Sequence, residues 1–428
     1  MRPSSFTLED ELNSLLNSHQ QRPEQSSSGN LAKIQKVPPY LRNRSEFERY
    51  YFPKMVSIGP IHHRPKGEIT TKNHLEQGEE YKKTWASKYL QGKDAQKLLQ
   101  NIQSEIQELK KLYADDVIQG FNTDDELAWI LFVDGCAVLH IMDKVEPSKF
   151  QALYIIVQND LLLLENQLPY NVLSILSNED DSALTSLTKR FINSFLEARD
   201  IAPQSQVINQ PAHLLEVLIS FIVVLDQTKE TTIVGMQQNE VPKYPPKPPT
   251  HRNIQELITS GIKIKKNDEK NLTNIYVRGG KLFVPPLTVD DFTAQMFLNM
   301  MAYEMCPDNL KSNYEISNYV SFLNSLIDHA DDVKVLRKAG VLNNHLGSDE
   351  EVAKVFNTVS TDLVLDTGIY KEVRQDIEKI YKRRVRIWFI ELQRKHFNTP
   401  WTIIGLISAI LGFILTIVNL KKQLGSKN

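Results

Sequence analysis

Residues 153–169 read Leu-Tyr-Ile-Ile-Val-Gln-Asn-Asp-Leu-Leu-Leu-Leu-Glu-Asn-Gln-Leu-Pro. A run this apolar suits either a helix buried in a protein core or a helix in a bilayer. Charged and amide groups at Asp160, Glu165 and Asn166 interrupt it, and such groups are costly in lipid. We therefore interpret the stretch as a core helix of a globular body.

Helical spacing of apolar residues recurs on both sides of this stretch. It predicts helical segments over 72–113, 124–142, 212–225, 293–306, 319–330, 331–339 and 373–397. The Gly279-Gly280 pair predicts the turn of a β-hairpin near 275–284, and Ile262 and Ile264 predict a strand before it. The expected fold class is mainly α, a multi-helix globular body with a small β-hairpin.

The segment 401–420 contains no charged residue and as a helix is about 30 Å long, which matches a hydrocarbon core. We expect one C-terminal transmembrane helix there and a short polar tail at 421–428. Cationic and aromatic residues flank it as membrane-flanking groups, namely Arg394, Lys395, Trp401, Lys421 and Lys422.

The start of the chain has no apolar signal region, so we expect a tail-anchored single-pass protein. Its body lies on the cytosolic side by default, and we favour the plasma membrane over the endoplasmic reticulum. Two glycosylation sequons, at Asn43 and Asn271, indicate the opposite side and provide a test.

Composition divides the rest of the chain into segments. The polar residues 1–30 predict a flexible N-terminal arm, and the prolines of 241–252 predict a stiff linker. This linker separates an N-terminal helical region, 31–240, from a C-terminal helical region, 253–400.

Composition and motifs also exclude several functions. The 50 basic and 52 acidic residues nearly balance, which argues against nucleic acid as a partner. Cys136 and Cys306 are too few for a disulfide framework or a four-ligand zinc site, and we expect both to be buried. Because the chain lacks a phosphate-binding loop, a nucleophile elbow and a dinucleotide fingerprint, we predict no catalytic, cofactor-binding or metal site.

Two pairs of residues nevertheless invite a chemical role. His62 and His63 follow a Gly-Pro turn, where an imidazole can act as a metal ligand or general base, or can simply bond to backbone. Asp290 and Asp291 precede a predicted helix and favour an N-cap interpretation. For hydrolysis, this site would need a partner carboxylate in a cleft, such as Glu304 or Glu165.

Two other groups of residues favour structural or surface roles. Glu165 and Asn166 lie within an apolar stretch, which indicates a polar network in the core. The long helix before 401 carries a basic cluster, which anionic lipids attract by about 1 kcal/mol per charge if this side is cytosolic. A solvated or ion-paired helix face is the alternative for that cluster, which comprises Lys382, Arg383, Arg384 and Arg386.

A series of short motifs occurs in a characteristic order between residues 37 and 420. They are Val37–Arg42, Val56–His63, Val133–Cys136, Asn159–Pro169, His213–Leu215, Val284–Asp291, Asn299–Cys306, Leu326–Asp328, Asp331–Val333, Gly340–Val341 and Pro400–Trp401. Together they resemble the plant domain of unknown function 247 family, also called uncharacterised protein family 0481. The resemblance marks as signature positions His62, His63, Asp134, Glu165, Asn166, Asp290 and Asp291.

The resemblance implies a mostly helical plant protein with a C-terminal membrane anchor and no established chemistry. Some members in grasses are implicated in self-incompatibility, which implies recognition and signalling as a theme. We therefore predict a non-enzymatic recognition or signalling protein that contacts the bilayer through 401–420 and acts through an unknown protein partner. The alternatives are an unrecognised hydrolase-type enzyme and a membrane-surface scaffold that binds anionic lipid. Nothing in the sequence indicates the oligomeric state.

Overall fold

A computed structural model describes residues 33–63, 74–121, 123–144, 151–177, 181–203, 211–223, 253–269, 271–307, 314–359, 368–396 and 408–417. The expected arm at 1–30, the linker at 241–252 and the tail at 421–428 lie outside the described residues. The described chain is mainly helical with small sheets, which confirms the expected fold class at that level.

The described residues before the predicted linker form mainly helices. Their bounds are α1 (Pro39–Arg42), α2 (Phe47–Tyr51), α3 (His74–Tyr89), α4 (Ala95–Ser104), α5 (Ile106–Lys111), α6 (Asp115–Ile118), α7 (Asp124–Asp143), α8 (Gln151–Asp160), α9 (Tyr170–Ser177), α10 (Asp181–Glu197) and α11 (Leu214–Ile222). The helical spacing over 72–113 thus belongs to three successive helices.

The described residues after the predicted linker form helices and short strands. In chain order they are α12 (Ile254–Thr259), β1 (Lys263–Lys266), β2 (Tyr276–Arg278), β3 (Lys281–Val284), β4 (Leu287–Val289), α13 (Thr293–Glu304), α14 (Glu315–Leu326), α15 (Ala330–Lys338), β5 (Leu342–Asn344), α16 (Asp349–Val359) and α17 (Lys371–His396). A further described helical segment covers residues 408–417.

Helix α7 runs through the centre of the first part, and 13 of its 20 residues are buried, so it presents an apolar surface on nearly every side. Thr123 caps it, one residue before the predicted start, by accepting a hydrogen bond from the Glu126 N–H. A side chain at Gly135 would collide with Leu176, since an added Cβ lies 2.4 Å from its Cδ1. Glycine therefore allows α9 to approach α7 closely.

One continuous hydrophobic core extends from Ile34 to Ile377 and includes buried residues from both predicted helical regions. Helix α13 is buried along its whole length and packs against α2, α14 and α16. The expected burial of Cys136 and Cys306 is confirmed, and both are free thiols.

The predicted β-hairpin is confirmed as the antiparallel pair β2 and β3. Gly279 and Gly280, at φ 59° and 74°, form its two-residue turn, a conformation that glycine adopts readily. The strand predicted at Ile262 and Ile264 is β1, which pairs with β3 in parallel and gives the order β1-β3-β2. The parallel pair β4 and β5 was not predicted, because each strand has only three residues.

The prediction of one core helix over 153–169 is wrong in its extent. Helix α8 ends at Asp160, and residues 161–169 form a buried, non-helical segment. Side chains replace the missing helical hydrogen bonds there, since the Gln167 amide donates to the carbonyls of Leu161 and Leu163 at 2.8 and 2.7 Å.

In the described part of the chain, no helix is both long and apolar enough to cross a membrane, so the transmembrane helix expected at 401–420 is not supported. Of that range, residues 408–417 are described and helical, and 401–407 and 418–420 lie outside the described residues. The large apolar side chains of this segment are at least half exposed, namely Ile410, Leu411, Phe413, Ile414, Leu415 and Ile417.

Candidate functional site

Four buried polar side chains, Asp134, Asp160, Glu165 and Asn166, hold the N-terminal segments of the chain in place, and we call them the polar clamp. The Asp160 carboxylate accepts hydrogen bonds from three successive backbone N–H groups, those of residues 54–56, at 2.9, 2.6 and 3.0 Å. Burial raises the pKa of Asp160 to about 6, although these donors favour its charged form. A loop that lacks regular secondary structure thereby obtains partners for its backbone.

Asn166 and Asp134 hold the next residues of the same loop. Asn166 accepts from the Ile58 N–H at 2.6 Å, and Asp134 accepts from the Gly59 N–H at 2.8 Å. Gly59 has φ +73°, and an added Cβ would lie 2.4 Å from the Gln167 carbonyl oxygen, so both its conformation and its surroundings require glycine.

Lys82 compensates the charge of Asp134 inside the core. Its ammonium lies 2.7 Å from the Asp134 carboxylate and donates to the Ser57 carbonyl at 2.6 Å, with Glu79 also 2.7 Å away. Burial alone lowers the pKa of Lys82, but the two carboxylates outweigh it and hold that pKa above its usual value. The lysine stays charged and completes a buried ion pair.

Glu165 is the member of the clamp that lies closest to a histidine. Its carboxylate accepts from the Val37 N–H at 2.6 Å and pairs with Arg42, and His62 Nε2 lies 3.4 Å from Oε2. Burial raises the pKa of Glu165, while the positive charge of Arg42 opposes that change. The His62 ring stands edge-on to Phe52. Since Glu165 and His62 are both buried, this arrangement fixes the chain and presents neither group to solvent.

The two aspartates before α13 have a different role from the clamp. The Asp290 carboxylate accepts from the Phe292 N–H at 3.0 Å and lies 3.2 Å from the Arg199 guanidinium. Phe292, and not an aspartate, occupies the N-cap position, and Asp291 is exposed. His63 is half-buried.

A hydrolytic pair of Asp290 and Glu304 is not formed. The two residues flank opposite ends of the twelve-residue α13, about 18 Å apart along its axis. Glu304 instead accepts hydrogen bonds from the first N–H groups of α14, those of Ile316 and Ser317, at 2.8 and 2.9 Å. Both carboxylates thus accept hydrogen bonds from backbone N–H groups at the start of a helix, Asp290 at α13 and Glu304 at α14. In the described part of the chain, no group of three or more His, Cys, Asp and Glu side chains could hold a metal ion.

Comparison with known proteins gives the family of the chain. The model of DUF247, described as "Plant protein of unknown function", matches residues 34–415. The chain belongs to the DUF247 family. The range includes every member of the polar clamp.

Two relatives of this DUF247 chain are proteins of Arabidopsis thaliana. The UPF0481 protein At3g47200 is 25% identical over 400 residues, which cover 86% of this chain and 81% of the relative. The putative UPF0481 protein At3g02645 is 26% identical over 172 residues, which cover 40% of this chain and 32% of the relative. No solved structure matches the chain.

The basic cluster of this DUF247 chain lies on α17. Lys382 forms an ion pair with Glu378 at 3.4 Å, and Arg383 is exposed. The Arg384 guanidinium lies over Gly261, where an added Cβ would come within 3.0 Å of Cζ. The side chain of Arg386 lies outside the described residues. Of the membrane-flanking residues, Arg394 and Lys395 belong to the last turn of α17 without described side chains, and Trp401, Lys421 and Lys422 lie outside the description.

Sequence reasoning missed two residues that support the clamp, Lys82 and Asn299, and it did not predict the partners of Asp160. The Asn299 side chain bridges two regions by accepting from the Leu164 N–H and donating to the Tyr50 carbonyl, both at 2.9 Å. A signal for Lys82 was present, because positions 75, 78, 82 and 86 follow the helical spacing of a buried face. The partners of Asp160 and Asn299 are distant in sequence and left no such pattern.

His213 was part of a family motif and is also a buried helix cap. Its Nδ1 accepts a hydrogen bond from the Glu216 N–H at 3.3 Å at the start of α11, and its ring stands edge-on to Tyr303 at 5.2 Å. Burial lowers the pKa of His213 to about 3. The ring is therefore neutral at physiological pH, with its proton on Nε2.

The titration of His213 predicts a pH dependence of stability. Since the unfolded chain takes up this proton near pH 6.5 and the folded chain only near 3, the stabilisation is complete above about 6.5 and is lost as the pH falls toward 3. Between pH 6.5 and 5 the loss is about 2 kcal/mol. Denaturation curves at several pH values measure it.

His213→Asn is the matched control for this prediction. Asparagine retains a cap acceptor and takes up no proton, so the variant should lose less stability than wild type over the same window. Other groups that titrate there, such as Asp160, are present in both proteins and cancel in the difference. Equal pH dependence of the two proteins would contradict the assignment.

Proposed function

We propose that this chain is a membrane-anchored recognition protein, whose helical body binds a protein partner and catalyses no reaction. The observation that carries the proposal is the exposed apolar helix of residues 408–417. Every residue of that segment is exposed, and the exposed fraction reaches 69% for Phe413 and 61% for Leu415. Water around so many adjacent apolar groups is unfavourable, and a hydrocarbon layer removes that cost.

The surrounding sequence supports an anchor at this position. The helix of residues 408–417 forms the middle of the uncharged run 401–420, and lysines follow that run at Lys421 and Lys422. The amphipathic α17, which ends at His396, precedes it and packs against the body. A helix continued over the whole run is about 30 Å long, enough to reach across a bilayer.

The contacts of the suspected catalytic residues support a non-enzymatic role. His62 lies against the buried Glu165, Asp290 holds the start of α13, and Glu304 holds the start of α14. Each group stabilises the fold through these contacts. Some members of the family in grasses are implicated in self-incompatibility, a process of recognition. We extend a role in recognition to this chain.

The side of the membrane on which the body lies decides which partners it can meet, and we propose the cytosolic side of the plasma membrane. Asn43 is an exposed sequon residue after α1, whereas Asn271 is half-buried and bonds to the Thr273 N–H at 3.2 Å. Asn43 is therefore the better reporter of a glycosylating compartment.

Translation of the full chain with microsomes measures this sidedness. We expect no glycosidase-sensitive mass shift, and digestion of the body by added protease. Asn43→Gln is the control, because it removes the reporter at an exposed position outside the core. A shift that disappears in Asn43→Gln, together with protease protection, would place the body outside the cytosol and contradict the proposal.

A further inference from the structure

One face of the three-stranded sheet carries a row of positive charges. In the register of the sheet, Lys281 on β3 lies opposite Lys263 on β1 and opposite Arg278 on β2. Residues directly opposite each other on neighbouring strands point to the same face, so the three side chains form one row. Lys265, two positions beyond Lys263, belongs to the same face. All four are exposed, and we call this surface the basic face.

The pattern of the strands fixes the basic face toward solvent. The alternate positions Ile264, Leu282 and Val284 point to the other face and are buried in the core. A shift of register by one residue would bury the charges and expose these apolar groups. The charges are thus held in place by the packing of the opposite face.

The row lowers the stability of the isolated sheet. Like charges that lie directly opposite each other on adjacent strands repel, and Lys281 has such a neighbour on both sides. None of the described acidic groups forms an ion pair with the four cations. The nearest acidic residues in sequence, Asp268 and Glu269, follow β1 at the end away from Lys263. Within the described residues, the row therefore has no acidic partner.

Two aromatic rings lie among these cations. Tyr276 and Phe283 are paired in the register of β2 and β3, and their rings stack at 4.9 Å with an interplanar angle of 13°. Both are half-buried on the basic face. Rings with an apolar body beside cationic side chains are typical of surfaces at the headgroup level of a bilayer.

Helix α17 lies between this sheet and the exposed apolar helix in the order of the chain. It packs beside β2, and Arg384 extends over Gly261, two residues before β1. At the start of α17, the Tyr370 hydroxyl donates to the Thr273 carbonyl at 2.9 Å, close to β2. Helix α17 ends at His396, and the apolar helix begins at residue 408. Eleven residues of sequence separate α17, which packs beside β2, from the apolar helix.

We propose that the basic face rests on an anionic lipid bilayer, where Lys263, Lys265, Arg278 and Lys281 bind the phosphate and carboxylate groups of lipid headgroups. The inference rests on the proposed membrane attachment, and it adds a second contact that selects anionic lipid. Charge complementarity, the interleaved aromatic pair and the closeness in sequence of α17 to the apolar helix favour a bilayer over a nucleic acid as the occupant.

The test uses the full chain with the apolar helix made polar by Leu411→Gln, Phe413→Gln, Ile414→Gln and Leu415→Gln, which we call the anchor variant. These side chains are exposed, so the substitutions leave the core intact, and glutamine is a good helix former. Flotation with vesicles of phosphatidylcholine, with and without phosphatidylserine, measures the remaining affinity. We expect binding only to vesicles with phosphatidylserine, and weaker binding as salt is raised.

Removal of two charges from the row tests the assignment of the surface. In the anchor variant, Arg278→Gln with Lys281→Gln should weaken binding about 25-fold, since each cation near an anionic bilayer contributes roughly a fivefold factor. Lys88→Gln with Lys97→Gln is the matched control, because it removes the same charge from exposed helical positions. Lys281→Arg should keep the affinity. Without vesicles, the double variant Arg278→Gln with Lys281→Gln should unfold at the same temperature as the anchor variant or at a higher one, because repulsion across the sheet is relieved.

Three results would overturn the inference. They are equal binding to both kinds of vesicle, equal weakening by the control pair, and tighter binding to a single-stranded RNA than to anionic vesicles at the same salt. Failure of the proposed anchor is a separate result, because it is measured on the wild-type chain by its retention in membranes. The binding of the anchor variant to vesicles with phosphatidylserine is therefore measured independently of whether the helix of residues 408–417 anchors the wild-type chain.

Discussion

Lys82→Ala is expected to lower the free energy of unfolding by about 3–5 kcal/mol, because it leaves the buried Asp134 carboxylate without its counter-charge. Both side chains are almost completely removed from solvent, at 1% and 2% exposure. The Ser57 carbonyl also loses the donor that lies 2.6 Å away. Chemical denaturation of the full chain in detergent, followed by circular dichroism, measures the loss.

Two further variants test whether the loss of the ion pair, and not another effect of Lys82→Ala, causes the destabilisation. Lys82→Met with Asp134→Asn should recover much of the loss, because it removes both charges and retains an acceptor for the Gly59 N–H. Lys83→Ala is the matched control, since this neighbouring lysine pairs with Glu80 at the surface and should cost less than about 1 kcal/mol. A double variant no more stable than Lys82→Ala would contradict the account of the pair.

Asp160→Ala is expected to cost a similar amount, about 3–5 kcal/mol, for a different reason. The substitution leaves the backbone N–H groups of residues 54–56 without an acceptor. Val56 is buried and Met55 half-buried, and an unsatisfied buried group costs about 1–3 kcal/mol. Asp160→Asn should cost less, because its amide oxygen still accepts from part of this loop. Denaturant midpoints of the three proteins measure the order.

Asp143→Ala is the matched control for this second prediction. Asp143 ends α7 as Asp160 ends α8, but its side chain is 58% exposed and its ion pairs lie at the surface. Its removal should cost less than about 1 kcal/mol. If Asp160→Ala were no more destabilising than Asp143→Ala, the loop would not depend on the carboxylate for its conformation.

The sequence predicted the parts of this fold that depend on local pattern. The β-hairpin at Gly279-Gly280 and the helical character of 373–397 follow from residues close together in the chain, and both were found. Polar groups at Asp160, Glu165 and Asn166 correctly indicated a protein core. The end of α8 at Asp160 was missed, because it depends on side chains that take over backbone hydrogen bonds.

The polar clamp could be predicted only as a polar network without partners. Asp160 and Asn166 bind backbone groups that lie more than a hundred residues earlier, and no periodicity records such a pairing. Asn299 likewise joins Tyr50 to the segment after α8 across nearly 250 residues of sequence. The basic face was missed for the same reason, since Lys263, Arg278 and Lys281 become neighbours only through the register of the sheet.

Retention of the full chain in membranes after an alkaline wash is the most direct test of the proposed anchor. Wild type should stay with the membrane pellet, and the anchor variant should be released. A control with Leu411→Val, Phe413→Leu, Ile414→Val and Leu415→Ile keeps the segment apolar and should be retained like wild type. Release of wild type into the wash, or equal retention of the anchor variant, would contradict anchoring through the helix of residues 408–417.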